Sequence, residues 1–365
     1  MKVLFLTLGS EIVASSRVRV YQYLPYLEER GVKCKVISSG SDALTGVAID
    51  KAGLLPRLSG AVLRLGYSGL KIAKCLFFAP FYNVVFIQKV LLPIPIQKLL
   101  RILNDNIVWD IDDAIYVSPP LQKKERYLLL QLISRLLKQM HKRRFTPQAL
   151  LSKLIIVTNQ YLREHVSALN HNVIITTGPI DTNRYTPGTK GKSDKIVVGW
   201  IGSPSTTFYL EGVEKVLMKL SEKYPNVVLE LIGSSPLKIR NLRLAIKEWS
   251  LDSEVSNLQD FDIGIMPLTN DEWSRGKGGY KILQYMATGI PCVASPVGIN
   301  MQLIQDGVNG FLARTEEEWI SRLSLLIEDE ALRKQMGARG REIALREYSF
   351  QHYAPVMIEA LQRLL

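Results

Sequence analysis

Short apolar segments alternate with amphipathic helical segments along the whole chain, and this alternation constrains the fold more than any other feature. The apolar segments have the length of buried β-strands, and most end in glycine, serine, threonine or acidic residues. They are Val3–Leu8, Cys34–Ser38, Tyr82–Ile87, Ile107–Trp109, Leu154–Thr158, Asn172–Thr176, Ile196–Ile201, Val227–Ile232, Asp262–Met266 and Cys292–Ala294. Strands separated by helices pair in parallel, so the pattern predicts an α/β protein with doubly wound sheets.

The length of 365 residues exceeds what one hydrophobic core usually fills, so two domains are expected. The polar linker GTKGKSDK places the boundary near residue 188, between an N-terminal domain of residues 1–188 and a C-terminal domain of residues 189–345. The three cysteines show no disulfide or zinc-site spacing, which fits a reducing cytosol. No apolar segment has the length of a membrane-spanning helix, so a cytoplasmic protein is expected.

The segment RGKGGYKILQYMATGIPCVASPVG, residues 275–298, combines a glycine loop, cations and a helix start. Gly276, Gly278 and Gly279 form the loop, and Arg275, Lys277 and Lys281 add positive charge. The helical pattern that follows has apolar residues at Ile282, Leu283, Tyr285 and Met286. Backbone N–H groups at a helix N-terminus bind anions, so a phosphate or diphosphate is the expected guest. The alternative interpretation is an ordinary helix start with solvated lysines, and composition alone leaves the two balanced.

Other strand ends are predicted to reach the same edge of their sheets. In the C-terminal half the segment Ile196–Ile201 leads into Gly202, Ser203 and Thr206, and the segment Val227–Ile232 leads into Gly233. In the N-terminal half the first strand leads into a loop and a helical segment, Val18–Arg30. That first loop carries the residues Gly9, Arg17 and Arg19, and the two arginines could hold a charged substrate or be ordinary surface residues of a helix start.

Three carboxylates follow the strand Ile107–Trp109, at Asp110, Asp112 and Asp113. Clustered carboxylates repel one another and therefore indicate a function. They could bind a divalent metal. One of them could act as a general base whose pKa its neighbours raise. A helix cap is the third alternative.

The net charge of +12 is concentrated in the first half, where residues 1–195 hold 28 Lys and Arg against 13 Asp and Glu. Two leucine-rich basic segments, Leu54–Phe78 and Tyr127–Arg144, have the pattern of amphipathic helices that lie on an anionic membrane. They could equally be core-facing helices with solvated basic faces. Nucleic acid is not an expected partner, because no nucleic-acid-binding motif is present and aromatic residues do not alternate with the cations.

Three motifs resemble glycosyltransferase family 4. The pattern E-A-M-A-x-G-x-P-V-V-A is similar to residues 284–294, QYMATGIPCVA. The pattern V-G-G…D-G-x-N-G-x-L is similar to Val297–Gly298 followed by Asp306–Leu312. The pattern N-G-V-D-x-x-x-F-x-P is similar to Gly178–Pro187. The motifs occur in the family's order and span about half the chain. Two family glutamates, eight residues apart, correspond to Gly276 and Gln284.

The resemblance implies a GT-B fold, with two Rossmann-like doubly wound domains facing a central cleft and a last helix, residues 346–365, that crosses back to the first domain. It implies retaining transfer of a sugar from a nucleotide-sugar donor, which is a substrate rather than a cofactor, without a tightly bound metal. Donor-binding roles then fall on a set of loop and helix residues: Gly202, Ser203, Thr206, Gly233, Lys277, Gly279, Tyr280, Lys281 and Gln284. Acceptor-side roles fall on Gly9, Arg17 and Arg19, and the catalytic role falls on Asp112 or Asp113.

The expected acceptor is a glycan or a lipid-linked sugar of cell-surface polysaccharide synthesis. This acceptor and the basic N-terminal half place the protein peripherally on the inner face of the membrane. Two alternatives remain at this stage. One is a non-catalytic nucleotide- or glycan-binding scaffold, because both family glutamates are replaced. The other is a metal-dependent transferase that uses Asp110, Asp112 and Asp113.

Overall fold

The chain divides into two compact units in a computed structural model that describes residues 1–39, 68–117, 139, 142–189, 191, 193–237 and 243–365. The first unit comprises Met1–Gly178, Gly276–Gly278 and Tyr353–Leu365, and the second comprises Pro179–Arg275 and Gly279–His352. The first unit therefore ends before the polar linker at residue 188 and recovers two segments from later in the chain.

A parallel sheet of six strands forms the centre of the first unit. Its strands are β1 Lys2–Thr7, β2 Lys33–Ser38, β3 Val84–Gln88, β4 Ile107–Ile111, β5 Leu154–Val157 and β6 Val173–Ile175. The strand order is β2-β1-β3-β4-β5-β6, so the order reverses between β1 and β3. Ligands of doubly wound sheets bind beyond the carboxyl ends of the strands at such a reversal.

Helices and 3₁₀ turns follow the strands of the first unit. They are Ala14–Arg19, Tyr21–Tyr23, Leu24–Glu29, residues 68–78, Ala79–Phe81, Ile94–Leu103, residues 142–151 and Gln160–Ser167. The single helix predicted over Val18–Arg30 is wrong, because the segment is divided into a helix, a 3₁₀ turn and a second helix. The division coincides with Val20, where the backbone leaves the helical region (φ −133°, ψ −61°).

A second parallel sheet of six strands lies in the second unit. Its strands are β7 Ile196–Ile201, β8 Val227–Ile232, β9 Leu244–Lys247, β10 Ile263–Met266, β11 Cys292–Ala294 and β12 Gly310–Leu312. The order β12-β11-β10-β7-β8-β9 reverses between β7 and β10. The strands β9 and β12, which form the two edges of this sheet, were absent from the sequence prediction.

The helical elements after residue 200 are Pro204–Val213 (3₁₀), Glu214–Lys223, Glu254–Gln259, Glu272–Arg275, Tyr280–Ala287, Asn300–Leu303, Glu316–Glu328, Glu330–Glu347 and Phe350–Gln362. The helix Glu316–Glu328 begins at a capping box, in which Thr315 accepts from the Glu318 N–H and Glu318 accepts from the Thr315 N–H.

Large aromatic side chains fill both cores. Trp109 on β4 is buried and lies 5.0 Å, centroid to centroid, from Phe145. Trp200 on β7 is buried in the second unit. Because both faces of each sheet are covered, the central strands consist of consecutive buried residues, as parallel sheets require. The predicted α/β fold class is confirmed.

Much of the two predicted membrane-binding segments lies outside the described residues. Of the first segment the structure describes residues 68–78, which are helical, whereas Arg57 and Arg64 lie outside. Of the second it describes residue 139 and residues 142–144. Within the described part of the chain, no helix is both long enough and apolar enough to cross a membrane.

Candidate functional site

The loop after β1 and the end of β3 are joined by one buried glutamine, Gln88, at the strand reversal of the first unit. Its Oε1 accepts from the Leu8 N–H (3.1 Å) and from Ser16 Oγ (2.9 Å), and its Nε2 donates to Ser15 Oγ (2.6 Å). Gly9 belongs to the same loop, where a Cβ would lie 2.4 Å from Val13 Cγ2. The predicted acceptor-side loop is therefore held in one conformation by a side chain that the sequence prediction did not include.

Lys89, the next residue, bridges two of the predicted carboxylates. Its Nζ lies 2.9 Å from Oδ1 of Asp112 and also pairs with Asp113, and all three side chains are mostly buried. Asp112 accepts a second hydrogen bond from Ser15 Oγ. The structure thus brings Asp112 and Asp113 together around one ammonium group.

The electrostatics keep both partners of this cluster charged. Burial raises the pKa of Asp113, but Lys89 and Lys277 overcome that effect and hold its pKa below the usual range. Burial lowers the pKa of Lys89, and Asp112 and Asp113 more than reverse it. An ionised carboxylate of low pKa accepts hydrogen bonds well but removes protons poorly at neutral pH. The cluster therefore suits orientation of a hydroxyl group better than its deprotonation.

The backbone of Lys89 is strained. Its φ is 60°, and among the described residues no other residue except glycine has a positive φ. The Val90 N–H donates to the Gln88 carbonyl (2.8 Å) across it, which closes a three-residue γ-turn. Strain of this kind persists where the surroundings fix the residue, and it concentrates at functional sites.

The two predicted arginines are held by the protein itself. Arg19 is buried beside Asp110, and its five N–H groups donate to that carboxylate, to the carbonyls of Thr176 and Thr177, and to Oγ1 of Thr176. Burial disfavours its charge, but Asp110 overcomes that effect and raises the pKa of Arg19. Arg17 donates to the carbonyls of Glu11 and Ile12. Both arginines therefore have structural partners, and their contact with an acceptor stays a prediction.

Gly276–Gly278, part of the predicted anion-binding loop, belong to the first unit. A Cβ on Gly276 would lie 2.5 Å from the Cβ of Ala114, and Asn159 Nδ2 donates to the Lys277 carbonyl (2.9 Å). Nζ of Lys277 lies 3.8 Å from Oδ1 of Asp113. Lys277 is thus placed at the carboxylate cluster, and its predicted contact with the donor stays a prediction.

Two glycines allow the strand ends of the second unit to approach each other. Gly202 follows β7, and Gly233 follows β8 with a φ of 71°. A Cβ on Gly233 would lie 2.4 Å from the Gly202 carbonyl oxygen. A Cβ on Gly202 would meet the Trp200 ring at 2.3 Å and Nζ of Lys281 at 2.7 Å. Both positions therefore require glycine.

Lys281 is placed at the end of β7. Its Nζ lies 3.9 Å from the centroid of the Trp200 ring, a cation–π contact that fixes the ammonium beside Gly202. Because β7 flanks the strand reversal, this charge stands where a doubly wound sheet binds its ligand. Ser203 and Thr206 are in the following turn, where the Ser203 N–H donates to Thr206 Oγ1 (3.2 Å). The structure brings these four predicted donor-binding residues to one edge.

Gln284 belongs to a buried polar cluster. Its Nε2 donates to Oε1 of Glu254 (3.2 Å) and lies 3.3 Å from the Tyr185 hydroxyl. Glu254 also accepts from Tyr185 and from Trp249 Nε1 (2.9 Å). The neighbouring Tyr280 packs its ring edge-to-face against Tyr185, with centroids 6.4 Å apart. The predicted donor-binding residue Gln284 is thus oriented by a carboxylate from another helix.

Gly279 begins the helix Tyr280–Ala287 in a left-handed conformation with a φ of 66°. A Cβ there would lie 2.6 Å from Leu303 Cδ1 and 2.8 Å from Ile299 Cγ2. The glycine therefore lets the helix start pack closely against the segment 299–303. The first turn of this helix also carries Lys281.

Three residues that shape these sites were not among the predicted ones: Gln88, Lys89 and Glu254. Gln88 and Lys89 directly follow the predicted strand Tyr82–Ile87, which is the same signal that identified Asp112 and Asp113. Glu254 has no such signal, because it begins a short helix and is recognised as a site residue through its contact with Gln284.

Comparisons with known proteins identify proteins that are similar to this chain. The family described as "Glycosyl transferases group 1" matches residues 196–329. A D-inositol 3-phosphate glycosyltransferase from Corynebacterium aurimucosum is 25% identical over 220 residues, which are 50% of this chain and 50% of that protein. The match therefore spans about half the length of this curated relative.

Solved structures share the fold over the whole chain. Alr3699/HepE from Anabaena, crystallised with UDP and glucose, has a TM-score of 0.65 at 17% identity and covers 99% of both chains. Sucrose-phosphate synthase from Thermosynechococcus elongatus has a TM-score of 0.69 at 12% identity, covering 100% of this chain and 99% of that one. The two six-stranded parallel sheets have the GT-B fold of these proteins, and residues 196–329 are similar to the group 1 glycosyltransferases.

Proposed function

We propose that this protein transfers a sugar from a nucleotide-sugar donor to an acceptor hydroxyl with retention of anomeric configuration. The observation that carries the proposal is the position of Lys281. Its ammonium lies against Trp200 at the end of β7, within the matched glycosyltransferase domain. A cation fixed there would stabilise negative charge on the departing diphosphate as the glycosidic bond breaks.

The acceptor hydroxyl would be oriented by the carboxylate cluster of the first unit. Asp112 and Asp113 are acceptors of hydrogen bonds, held in place by Lys89 and Ser15. The low pKa of Asp113 supports an orienting role. In this proposal the departing phosphate, rather than an aspartate, receives the hydroxyl proton.

We propose that no tightly bound metal takes part. Asp110 is bound by Arg19, and Asp112 and Asp113 are bound by Lys89. A divalent cation would have to displace these positive groups before it reached the carboxylates. This arrangement supports the metal-independent alternative over a metal site at the three aspartates.

The proposed acceptor is a glycan or a lipid-linked sugar used for cell-surface polysaccharide, presented at the inner face of the membrane. The excess of Lys and Arg in residues 1–195 supports an anionic surface as the partner. UDP is the first candidate for the nucleotide of the donor, since the structural relative Alr3699/HepE was crystallised with UDP.

Thermal unfolding against UDP, GDP, ADP, CMP and dTDP, each with and without a chelator, tests the donor proposal. A ligand at a hundred times its Kd stabilises the folded protein by about 2.7 kcal/mol. We expect one nucleotide to raise the Tm whether or not the chelator is present. A shift that requires a divalent metal would contradict metal independence, and no shift with any nucleotide would contradict the donor site.

A non-catalytic scaffold is the second candidate, because Gly276 and Gln284 occupy the positions of two family glutamates. Measurement of turnover separates the two candidates. If the protein binds nucleotide but releases no nucleoside diphosphate with membrane extract or soluble glycans as acceptors, the scaffold is favoured. If product forms, the anomeric coupling constant in its NMR spectrum tests retention.

A further inference from the structure

Three large apolar side chains are exposed on one side of residues 68–81. Leu70 is 74% exposed, Phe77 is 67% exposed and Phe81 is 62% exposed. Their spacing of seven and four residues places them on one face of the helix and the 3₁₀ turn that continues it. The opposite face is in the core, where Cys75 and Ala79 are buried. The helix therefore has an apolar inner face and an apolar outer face.

A second element extends this surface. The helix Ile94–Leu103 exposes Leu99 and Ile102, and Ile102 is 80% exposed. At the end of this helix, Nδ2 of Asn104 donates to the carbonyls of Ala79 (2.9 Å) and Tyr82 (2.7 Å), which ties the two elements together. We call Leu70, Phe77, Phe81, Leu99 and Ile102 the apolar docking face.

The charge along the two elements of the apolar docking face is mostly positive. Residues 68–81 and 94–105 contain Lys71, Lys74, Lys98 and Arg101, and their one acidic residue, Asp105, pairs with Arg101. Lys74 precedes Phe77 by three residues and shares its helix face. Exposed phenylalanines beside lysines are the composition with which a protein surface enters the headgroup region of an anionic bilayer.

We propose that the apolar docking face inserts into an anionic lipid surface, with Phe77 and Phe81 in the acyl boundary and Lys74 and Lys98 at the headgroups. The inference rests on the proposed function in one respect, namely that a lipid-linked acceptor is presented at such a surface. The excess of cations, four against the single acidic residue Asp105, favours an anionic lipid surface over a protein partner, because a protein interface normally carries both signs of charge in more equal number.

Co-sedimentation of the full chain with vesicles tests the proposal. Vesicles of phosphatidylcholine with about one third phosphatidylglycerol are compared with phosphatidylcholine alone. We expect binding to the anionic vesicles, and we expect the double variant Phe77→Ser/Phe81→Ser to weaken it by about tenfold or more. The variant Lys74→Glu/Lys98→Glu should remove the preference for anionic lipid. Added salt should weaken the binding of the wild-type protein to anionic vesicles.

Matched controls come from the second unit. Leu325→Ser/Leu345→Ser removes two partly exposed leucines from its helices, and Lys215→Glu reverses an exposed lysine; both should bind vesicles like the wild type. Equal binding by the Phe77/Phe81 variant, or no vesicle binding by the wild type, would overturn the proposal. A dimer in light scattering that the Phe77/Phe81 variant abolishes would assign the face to a second copy and overturn it too.

The outcome for the membrane is separable from that for the donor. Nucleotide-induced Tm shifts are measured without vesicles, and the Phe77→Ser/Phe81→Ser variant should keep them in full. If this variant loses vesicle binding but keeps its nucleotide-induced Tm shift, the apolar docking face binds the membrane independently of the donor site. A nucleotide shift in a wild type that ignores vesicles would refute the docking face and leave the donor proposal standing.

Discussion

Gln284 turns its amide nitrogen toward Glu254, with 3.2 Å between Nε2 and Oε1, and both side chains are buried. A carboxylate only accepts hydrogen bonds, so this contact fixes which way the amide of Gln284 lies and directs its oxygen away from Glu254. A glutamate, the residue that the family resemblance places here, would set a second carboxylate against Glu254. The departure at position 284 is therefore matched by the charge at position 254.

The substitution Gln284→Glu should destabilise the protein at neutral pH. Two buried carboxylates in contact raise the pKa of one of them, which costs about 2–4 kcal/mol of unfolding free energy at pH 7. A raised folded-state pKa means that the loss grows as pH rises through the range between the unfolded and folded values. Urea unfolding at about pH 4.5, near the lower end of that range, and at about pH 7, near its upper end, measures this pH-dependent loss of stability.

The exposed helix residue Gln302 provides the control for this substitution. Gln302→Glu adds the same charge without a carboxylate partner and should change the unfolding free energy by less than about 0.5 kcal/mol at both pH values. Equal stability of Gln284→Glu and the wild type at pH 7 would show that position 284 tolerates a second carboxylate beside Glu254.

Removal of the Lys281 ammonium should weaken binding of the nucleoside diphosphate that gives the largest Tm shift. A charge-assisted hydrogen bond contributes about 1.5–3 kcal/mol, so Lys281→Ala should raise the Kd by about 10- to 100-fold and lower turnover. Calorimetric titration measures the Kd. Lys215→Ala, which removes an exposed lysine from the same unit, should leave it unchanged. An unaltered Kd and turnover in Lys281→Ala would refute the role proposed for this residue.

Gly233→Ala and Gly307→Ala separate backbone conformation from close packing. Both glycines have a positive φ, of 71° and 80°, but a Cβ meets the Gly202 carbonyl at 2.4 Å in the first case and nothing within 4 Å in the second. We expect a loss of about 1–2 kcal/mol for Gly307→Ala and about 3 kcal/mol or more for Gly233→Ala, measured by urea unfolding. Equal losses would mean that the approach of Gly233 to Gly202 relaxes without cost.

Replacement of Lys89 by glycine should be less harmful than replacement by alanine. Both changes remove the ammonium between Asp112 and Asp113 and should cost about 2–4 kcal/mol near neutral pH. Glycine adopts a φ of 60° freely, so Lys89→Gly should be more stable than Lys89→Ala by about 0.5–1.5 kcal/mol. At Lys215, inside a helix, the order should reverse, with glycine about 1 kcal/mol worse than alanine.

The pH dependence of the Lys89 variants follows from the lowered pKa of Asp113. A carboxyl group whose folded-state pKa is depressed contributes stability above its unfolded pKa of about 3.9 and loses it as pH falls further. The deficit of Lys89→Ala should therefore be full above about pH 5 and shrink in acid. If the stability deficit of Lys89→Ala stays constant down to pH 3, about one unit below the unfolded pKa, the ammonium does not act through Asp113.

The sequence predicts the central strands of both sheets but misses two edges. Ile196–Ile201 and Val227–Ile232 have the predicted bounds, because strands covered on both faces are unbroken apolar runs. The edge strand Leu244–Lys247 contains partly exposed residues, and Gly310–Leu312 has only three, so neither carries that pattern. Pairing with a neighbour, which local sequence does not encode, defines these strands.

The candidate sites were predicted where one strand end carries the chemistry and missed where two elements supply it together. Asp112 and Asp113 stand out in the sequence because they follow a strand. Lys89 also follows a strand, but its pairing with the two aspartates depends on the adjacency of β3 and β4, which the sequence does not show. The placement of Lys277 beside Asp113 depends in turn on the packing of Gly276 against Ala114, a contact between residues far apart in the chain.

The three-part origin of the first unit restricts how such a protein diversifies by recombination. The unit is assembled from Met1–Gly178, the tripeptide Gly276–Gly278 and Tyr353–Leu365, and the last segment is tied in where Lys153 Nζ donates to the Leu364 carbonyl (3.1 Å). A single crossover between two related genes would pair one parent's sheet with the other parent's tripeptide and tail. Inheritance of the first unit as an intact block would need several coordinated breakpoints, so point substitutions are the shorter route to a changed first unit.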